Sequence, residues 1–261
     1  MKYFDSHAHY YDERFESEIN ESVDTLIDAL LKDNVSYIVN IGTSPETSHL
    51  AAEQAKKFDR MYTAIGIHPS DTRFLSDMTA ELEEIEKMIT DGANKCVAIG
   101  EIGLDYHYPD TDKEKQMQYF EAQMQLAEKL NMPVSIHDRE AHGDVMEVIR
   151  RHPDVVGILH SFSGSTEMAL ELVERGYYIS FSGTLTFTNA RKPKEVAAAV
   201  PKDRILIETD CPYLAPHPHR GKINHSGYLS YTNATLAAIL GISEEECALL
   251  TEENARRVLG L

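Results

Sequence analysis

Six potential metal ligands stand at the ends of short apolar runs, and this placement constrains the fold of the chain more than any other feature. Asp5-Ser6-His7-Ala8-His9 closes the first run, and Glu101 follows Cys96-Val97-Ala98-Ile99-Gly100. His137 follows Val134-Ser135-Ile136, His160 follows Val155-Val156-Gly157-Ile158-Leu159, and Asp210 lies just beyond Ile205-Leu206-Ile207. Strands buried on both faces of a parallel sheet read as such runs. Ionisable groups at their carboxyl ends gather on one rim, where the active sites of α/β barrels are built.

The runs alternate with amphipathic helical stretches almost throughout. Strands are expected near 2–6, 35–41, 61–66, 96–101, 133–137, 155–160, 177–182 and 204–208. Helices are expected near 16–33, 46–58, 79–91, 113–131, 140–152, 165–175, 193–200, 228–241 and 243–257. Over 113–131, Met117, Phe120, Met124, Ala127 and Leu130 recur every three or four residues, an apolar stripe with charges elsewhere. Eight strands alternating with helices indicate a parallel sheet closed as a (β/α)8 TIM barrel. Doubly wound sheets share the alternation, but an open sheet spreads its strands along a line. Ligands on strands one, four, five, six and eight meet only if the first and last strands are brought together. No repeat or composition break marks a second domain, so 1–261 reads as one barrel. Its 261 residues match the roughly 250 typical of that fold. The irregular stretch 211–227, after the eighth strand, is expected to shape substrate access.

Composition narrows the function classes. No stretch approaches the roughly 20 apolar residues that span a bilayer. Met1-Lys2-Tyr3-Phe4-Asp5 lacks a signal peptide's apolar core, and Cys96, Cys211 and Cys247 have no paired spacing. A reducing cytoplasm fits these features; neither a membrane nor an obligate protein partner is indicated. A net charge of −18 argues against binding polyanions with the surface as a whole. It leaves room for an anionic substrate at a site where divalent cations reverse the local field.

The residue types point to hydrolysis. His7 and His9 lie two apart on an extended strand end and share a face. Imidazole suits zinc, manganese, iron or cobalt, and carboxylate can bridge two ions. Glu101, with lone pairs on two oxygens, is the natural bridge; His137 and His160 then hold a second ion, and Asp210 binds the first. Two such cations lower the pKa of a shared water, and Asp210 is placed to take its proton as general base. Glu101 and His137 sit inside apolar surroundings, where an unpaired ionisable group is costly. Asp5 and Glu208 read as groups that orient ligand histidines. His49 and His152, as lone histidines, read as surface residues. His107 and His142 lie in loops or helix starts and receive no role, and His217-Pro218-His219 reads as a solvated loop tip.

These residues resemble, in order and spacing, the TatD-type metal-dependent deoxyribonucleases of the metallo-dependent hydrolase superfamily. The resemblance runs from His7 to about Asn254. Beyond the stretches above it rests on Gly66-Ile67-His68-Pro69, Gly100-Glu101-Ile102-Gly103-Leu104-Asp105-Tyr106, His160-Ser161-Phe162-Ser163-Gly164-Ser165 and Glu208-Thr209-Asp210-Cys211-Pro212-Tyr213-Leu214. It implies a (β/α)8 barrel with two divalent metal cations (Zn, Mg or Mn). His7, His9, Glu101 and Asp210 would hold one ion; Glu101, His137 and His160 would hold the other. It also implies exonucleolytic phosphodiester hydrolysis of DNA by a metal-bridged hydroxide, with Glu101 and Asp210 catalytic. His68 and Arg139 look like the family's substrate-side residues, suited by their donors to phosphate. One departure stands out: members commonly continue from Arg-Gly-Lys into Asn-Glu-Pro, whereas here Asn224 is followed by His225-Ser226-Gly227. Its expected consequence lies in the shape of the substrate mouth.

Two other functions share the constellation. A small-molecule amidohydrolase or esterase uses the same metals against carbonyls, and a non-catalytic metal-binding scaffold needs no base. A nuclease requires an open groove with phosphate donors, for which Arg139, Arg191, Lys192, Lys194, Arg220 and Lys222 are candidates. Stacked base pairs do not fit a barrel mouth intact, so single-stranded or frayed ends are expected to be favoured.

Overall fold

Eight strands pair in parallel and in chain order in the computed structural model, which describes every residue except Asn20. They are β1 (Tyr3–Ala8), β2 (Val35–Ile41), β3 (Met61–Ile65), β4 (Cys96–Asp105), β5 (Val134–Arg139), β6 (Gly157–Leu159), β7 (Tyr178–Phe181) and β8 (Ile205–Ile207). Ten helices are described: α1 (Arg14–Glu18), α2 (Val23–Lys32), α3 (Pro45–Ala55), α4 (Met78–Thr90), α5 (Lys113–Leu130), α6 (His142–Arg151), α7 (Thr166–Glu174), α8 (Arg191–Ala199), α9 (Leu229–Leu240) and α10 (Glu244–Leu259). The seam closes just past β8, where the Asp210 amide donates to the His7 carbonyl at 2.9 Å and the His9 amide to the Cys211 carbonyl at 2.8 Å. The sheet is therefore a barrel, as the placement of the ligand stations requires. Phe4, Val39, Ala64, Ala98, Ile158 and Leu206, from six different strands, pack in one cluster that fills its interior. Among the described residues no helix is long and apolar enough to cross a membrane.

Most boundaries shift by one to three residues from the sequence-based expectation, and three differences stand out. The helix expected over 16–33 is two helices, because Ser22 accepts from the Thr25 amide and starts α2 afresh; Asn20, within that range, lies outside the described residues. β4 was expected to end at Glu101 but continues to Asp105, so Glu101 lies within the strand. β6 is shorter than expected, three residues where six were anticipated over 155–160.

β1 and β4 carry irregularities where they meet the rim. On β4, Ile99 pairs with Val134 and Ile102 with Ile136, so one extra residue bulges out at Gly100-Glu101. On β1, Asp5 pairs with Ile38 and Ala8 with Asn40, a second bulge at Ser6-His7. Bulges re-aim side chains and concentrate beside active sites. Two glutamines on α5 brace the same rim: Gln123 bonds both the amide and the carbonyl of Ile67, and Gln116 accepts from the Asp105 amide. They lie beside the expected apolar stripe and are buried for their hydrogen bonds.

Gly103 allows β4 to approach β5 at this level. Its φ is +134°, and a Cβ there would lie 2.0 Å from the His137 carbonyl oxygen. Gly103→Ala combines a disfavoured backbone with a backbone clash, so it should lower stability by roughly 2–4 kcal/mol. Urea unfolding checks this: an unchanged midpoint and slope would mean that the strand has room to yield.

Candidate metal centre

Glu101 is the hub of the rim. It is 3% exposed, and its two oxygens face opposite sides of the barrel mouth. Oε1 lies 2.9 Å from His137 Nδ1 and 2.7 Å from His160 Nε2, on the β5–β6 side. Oε2 lies 3.3 Å from His7 Nε2 and 3.6 Å from His9 Nε2, on the β1 side. Asp210 joins the β1 side, with Oδ1 3.3 Å from His9 Nε2 and 3.9 Å from His7 Nε2. Four histidines thus converge on the Glu101 carboxylate, and Asp210 joins them through His7 and His9, so the six residues expected as ligands form one cluster.

The outer nitrogen of each histidine is held by a protein oxygen. His9 Nδ1 bonds the Ile41 carbonyl at 2.8 Å, and His160 Nδ1 the Glu208 carboxylate at 3.2 Å. His137 Nε2 bonds Asp105 at 3.2 Å, and His7 Nδ1 meets the Ser135 hydroxyl at 3.3 Å. For His9, His160 and His137 the partner is an acceptor only, so the outer nitrogen carries the proton and the inner nitrogen of the neutral ring is bare. Bare lone pairs then point at carboxylate oxygens, a repulsive arrangement that a cation or a bound proton resolves. A held outer nitrogen and a free inner one is how metal-binding histidines are set. In addition, Glu208 Oε2 is buried without a hydrogen-bond partner. Neutral imidazole with bridging carboxylate is a donor set for divalent transition metals, so these residues fit metal ions.

His68 is wired the opposite way. The Ser70 amide donates to His68 Nδ1 at 3.1 Å, which makes Nε2 the protonated nitrogen. That nitrogen faces Glu101 Oε1 at 3.5 Å. His68, Glu101 and His137 are close enough to hold a cation by distance alone. The fixed tautomer argues otherwise, leaving His68 as an N–H donor.

Charge within the cluster follows from burial and pairing. Burial pushes the Glu101 carboxyl up, but His160, His68, His7 and His137 outweigh it and hold the group well below its ordinary value. Burial also opposes ionisation of Asp210, and its bond to His9 with the neighbouring His160 and His7 holds it low. Burial depresses His160, yet Glu101 and Glu208 raise it well above its ordinary value. For His137 the bonds to Asp105 and Glu101 likewise exceed the effect of burial. His68 is pulled down to about 3, first by burial.

Several placements extend or correct the expectations. Glu208 touches His160, as anticipated for an orienting group, and also accepts from the Ser161 amide at 2.7 Å. Asp5 touches no imidazole ring. It accepts from the Thr209 amide and hydroxyl at 3.0 and 2.6 Å, from Ser226 at 2.7 Å and from the His7 amide at 3.4 Å. Because Ser226 belongs to the departing His225-Ser226-Gly227, that stretch bears on the floor beneath His7 and Asp210 rather than on the mouth, whose lining includes none of the three. Asn224 ties the same loop to the Thr209 and Tyr213 carbonyls. His152 is buried between Glu121 and Glu128 at 2.9 and 2.8 Å, not on the surface, whereas His49 is exposed. Asp105 and Ser135 received no role in the sequence reading. Their signal was alternation: Asp105 follows Glu101 by four residues and Ser135 precedes His137 by two, each an even step along the strand from a candidate ligand.

The mouth is an open cleft of about 1430 Å³ that includes His9, His68, Glu101, His137, His160 and Asp210 in its lining. Arg139 also lines it, 3.9 Å from Asp105. Arg191, Lys192, Lys194, Arg220 and Lys222 do not.

Known proteins agree with this geometry. A family model described as TatD related DNase matches residues 4–260. The uncharacterized metal-dependent hydrolase YabD of Bacillus subtilis is 41% identical over 258 residues, 98% of each chain. YcfH of Escherichia coli K12, also an uncharacterized metal-dependent hydrolase, is 35% identical over 97% of this chain and 94% of its own. Among solved structures, the TatD homolog YjjV of Escherichia coli K12 superposes with a TM-score of 0.90 at 27% identity, covering 99% of this chain and 98% of its own. A TatD family hydrolase from Entamoeba histolytica has the same fold, with a TM-score of 0.86 at 22% identity and coverage of 99% and 98%. The chain belongs to the TatD-related DNase family and is a metal-dependent hydrolase on an eight-stranded α/β barrel.

Proposed function

We propose that this protein is a two-metal phosphodiesterase that cleaves DNA from an end, with single-stranded or frayed ends preferred. The observation that carries the metal assignment is Glu101 with one oxygen toward each histidine pair. His7, His9, Asp210 and Glu101 form one ion's site; His137, His160 and Glu101 form the other's. Zinc, manganese and magnesium are the candidate ions. When bound, such ions draw charge from phosphoryl oxygens and ease deprotonation of water. DNA as the substrate rests on the family resemblance and on the donors of the cleft.

The chain's own residues divide the remaining work. Asp210 stays ionised and accepts the proton of the attacking water. His68 presents its Nε2–H toward a phosphate oxygen, and Arg139 offers a guanidinium fork at the edge of the mouth. Asp105, Ser135, Ile41 and Glu208 hold the ligand histidines in orientation. Asp5, through Thr209, keeps the backbone beneath Asp210 in register. A second reading, hydrolysis of a small ester or amide, is favoured by one observation. Of the described residues lining the cleft, nine are acidic and only Arg139 is a lysine or arginine.

Three outcomes test the proposal. Elemental analysis should find up to two divalent ions per chain. His137→Ala or His160→Ala should remove chiefly one; loss of both with either variant would break the division into two sites. Asp210→Asn should cut turnover about 10²–10⁴-fold on a labelled oligonucleotide while the fold persists. Asparagine tolerates the φ of +57° at this position, and near-normal turnover would move the base elsewhere, Glu208 first. Finally, His160 and His137 hold protons above their ordinary range in the metal-free chain, and ligation must displace them. Metal affinity should therefore fall as pH drops from 8 to 6. Calorimetric binding heats should shift between buffers of different ionisation enthalpy, and identical heats would show that no proton leaves.

A further inference from the structure

The cleft presents a contradiction for a nuclease: a polyanion has to enter a mouth lined by nine carboxylates and one guanidinium. Two divalent ions offset that charge only at the reacting phosphate. Further along the strand, phosphate contacts are unfavourable, and binding has to come from elsewhere.

The aromatic side chains supply it. Four are exposed among the described residues: Phe74, Tyr108, Tyr213 and Tyr231. Single exposed apolar residues are ordinary, but three of these four line this one cleft. Phe74, 73% exposed, ends a short 3₁₀ turn (Thr72–Phe74) that follows β3, with the Arg73 guanidinium 4.6 Å from its ring centre. Tyr108, 48% exposed, follows β4, with the Arg139 guanidinium 5.7 Å from its ring. Tyr213, 44% exposed, follows β8; its hydroxyl donates to Asp12 at 2.6 Å and its ring lies 6.5 Å from that of His9. Loops after three strands thus hold flat apolar faces around the cleft, each beside an arginine that adds cation–π character, with the Arg14 guanidinium 5.5 Å from the Tyr213 ring.

We propose that Phe74, Tyr108 and Tyr213 are base-stacking subsites, so that the protein grips a single-stranded nucleic acid by its bases and only the reacting phosphate by charge. This rests on the phosphodiesterase reading above. Bases stacked in a duplex cannot meet these rings, so the arrangement selects unpaired strands of any sequence, since every base has a π-face. With Arg139 the only lysine or arginine among the described residues lining the cleft, and Arg14 and Arg73 held against rings at its edge, the salt dependence of strand binding should be shallow. About one neutralised phosphate gives a log–log slope near −0.7, whereas a basic groove gives several times that.

The test uses metal-loaded protein and two strands with equal numbers of phosphates, an oligothymidylate and its abasic analogue, with bis(p-nitrophenyl) phosphate as a base-free phosphodiester. The wild type should use the abasic strand about 10–100-fold less well, through KM, on the scale of stacking against one or two rings. Phe74→Ala and Tyr108→Ala should each raise KM for oligothymidylate about 10-fold and add little to the loss on the abasic strand. Phe74→Tyr and Tyr108→Phe should restore use of the normal strand. If the wild type hydrolyses the base-free diester and treats both strands alike, stacking is overturned and the phosphodiesterase reading survives. A steep salt slope would also overturn stacking. Failure to hydrolyse any of the three substrates, with both metals bound, overturns both readings.

Discussion

Glu101 lies almost wholly out of water within an apolar strand, and an ionised carboxylate there costs several kcal/mol unless counter-charge surrounds it. The rest of the rim is arranged around that requirement. A bulge in β4 turns the side chain toward the barrel axis, and histidines from β1, β5 and the end of β6 close on its two oxygens. The outer nitrogens of those histidines are held in turn by Ile41, Ser135, Asp105 and Glu208. The inner nitrogens are therefore aimed before any ion arrives. This ordering of side chains in advance lets a site discriminate geometry at little entropic cost.

Most of this hub was legible in the chain because both of its signals are local. A carboxylate or imidazole at the end of an apolar run is conspicuous, and the runs themselves count the strands. What escaped were groups whose partners lie far away in sequence. Gln116 and Gln123 read as the polar flank of an amphipathic helix, yet they are buried to bond the backbone around β3 and β4. His152 looked like a solvated lone histidine because Glu121 and Glu128 lie on a different helix. Asp105 went unassigned because β4 continues past the run that ends at Glu101, and alternation with Glu101 was its one sign in the sequence. Ser226 and Asp5 are separated by most of the chain, so the consequence of an unusual loop sequence for the floor of the site became visible only once the barrel had closed.

The charge of the cleft changes what the fold implies about substrates. With the two proposed cations at its base, the acidic mouth would be a focused field: repulsive along its walls, attractive at one point. Such a field suits a ligand with one reactive anionic group and a neutral or aromatic remainder. A short stretch of single strand read through its bases meets that description, and so does a small ester. The exposed rings on the loops after β3, β4 and β8 would favour the first if they stack on bases as proposed.

The seam of the barrel is closed by the backbone of three of the proposed ligands, through Asp210 to His7 and His9 to Cys211. An ion gripped by the side chains of His7, His9 and Asp210 would thus clamp the two ends of the sheet together. Any opening of the first strand away from the last then requires release of that ion. By thermodynamic reciprocity, the factor by which such an ion favours the closed seam is the factor by which closing the seam favours the ion. The metal centre would accordingly act as the latch of the barrel, and the metal-free chain would breathe first along the line where its first strand meets its last.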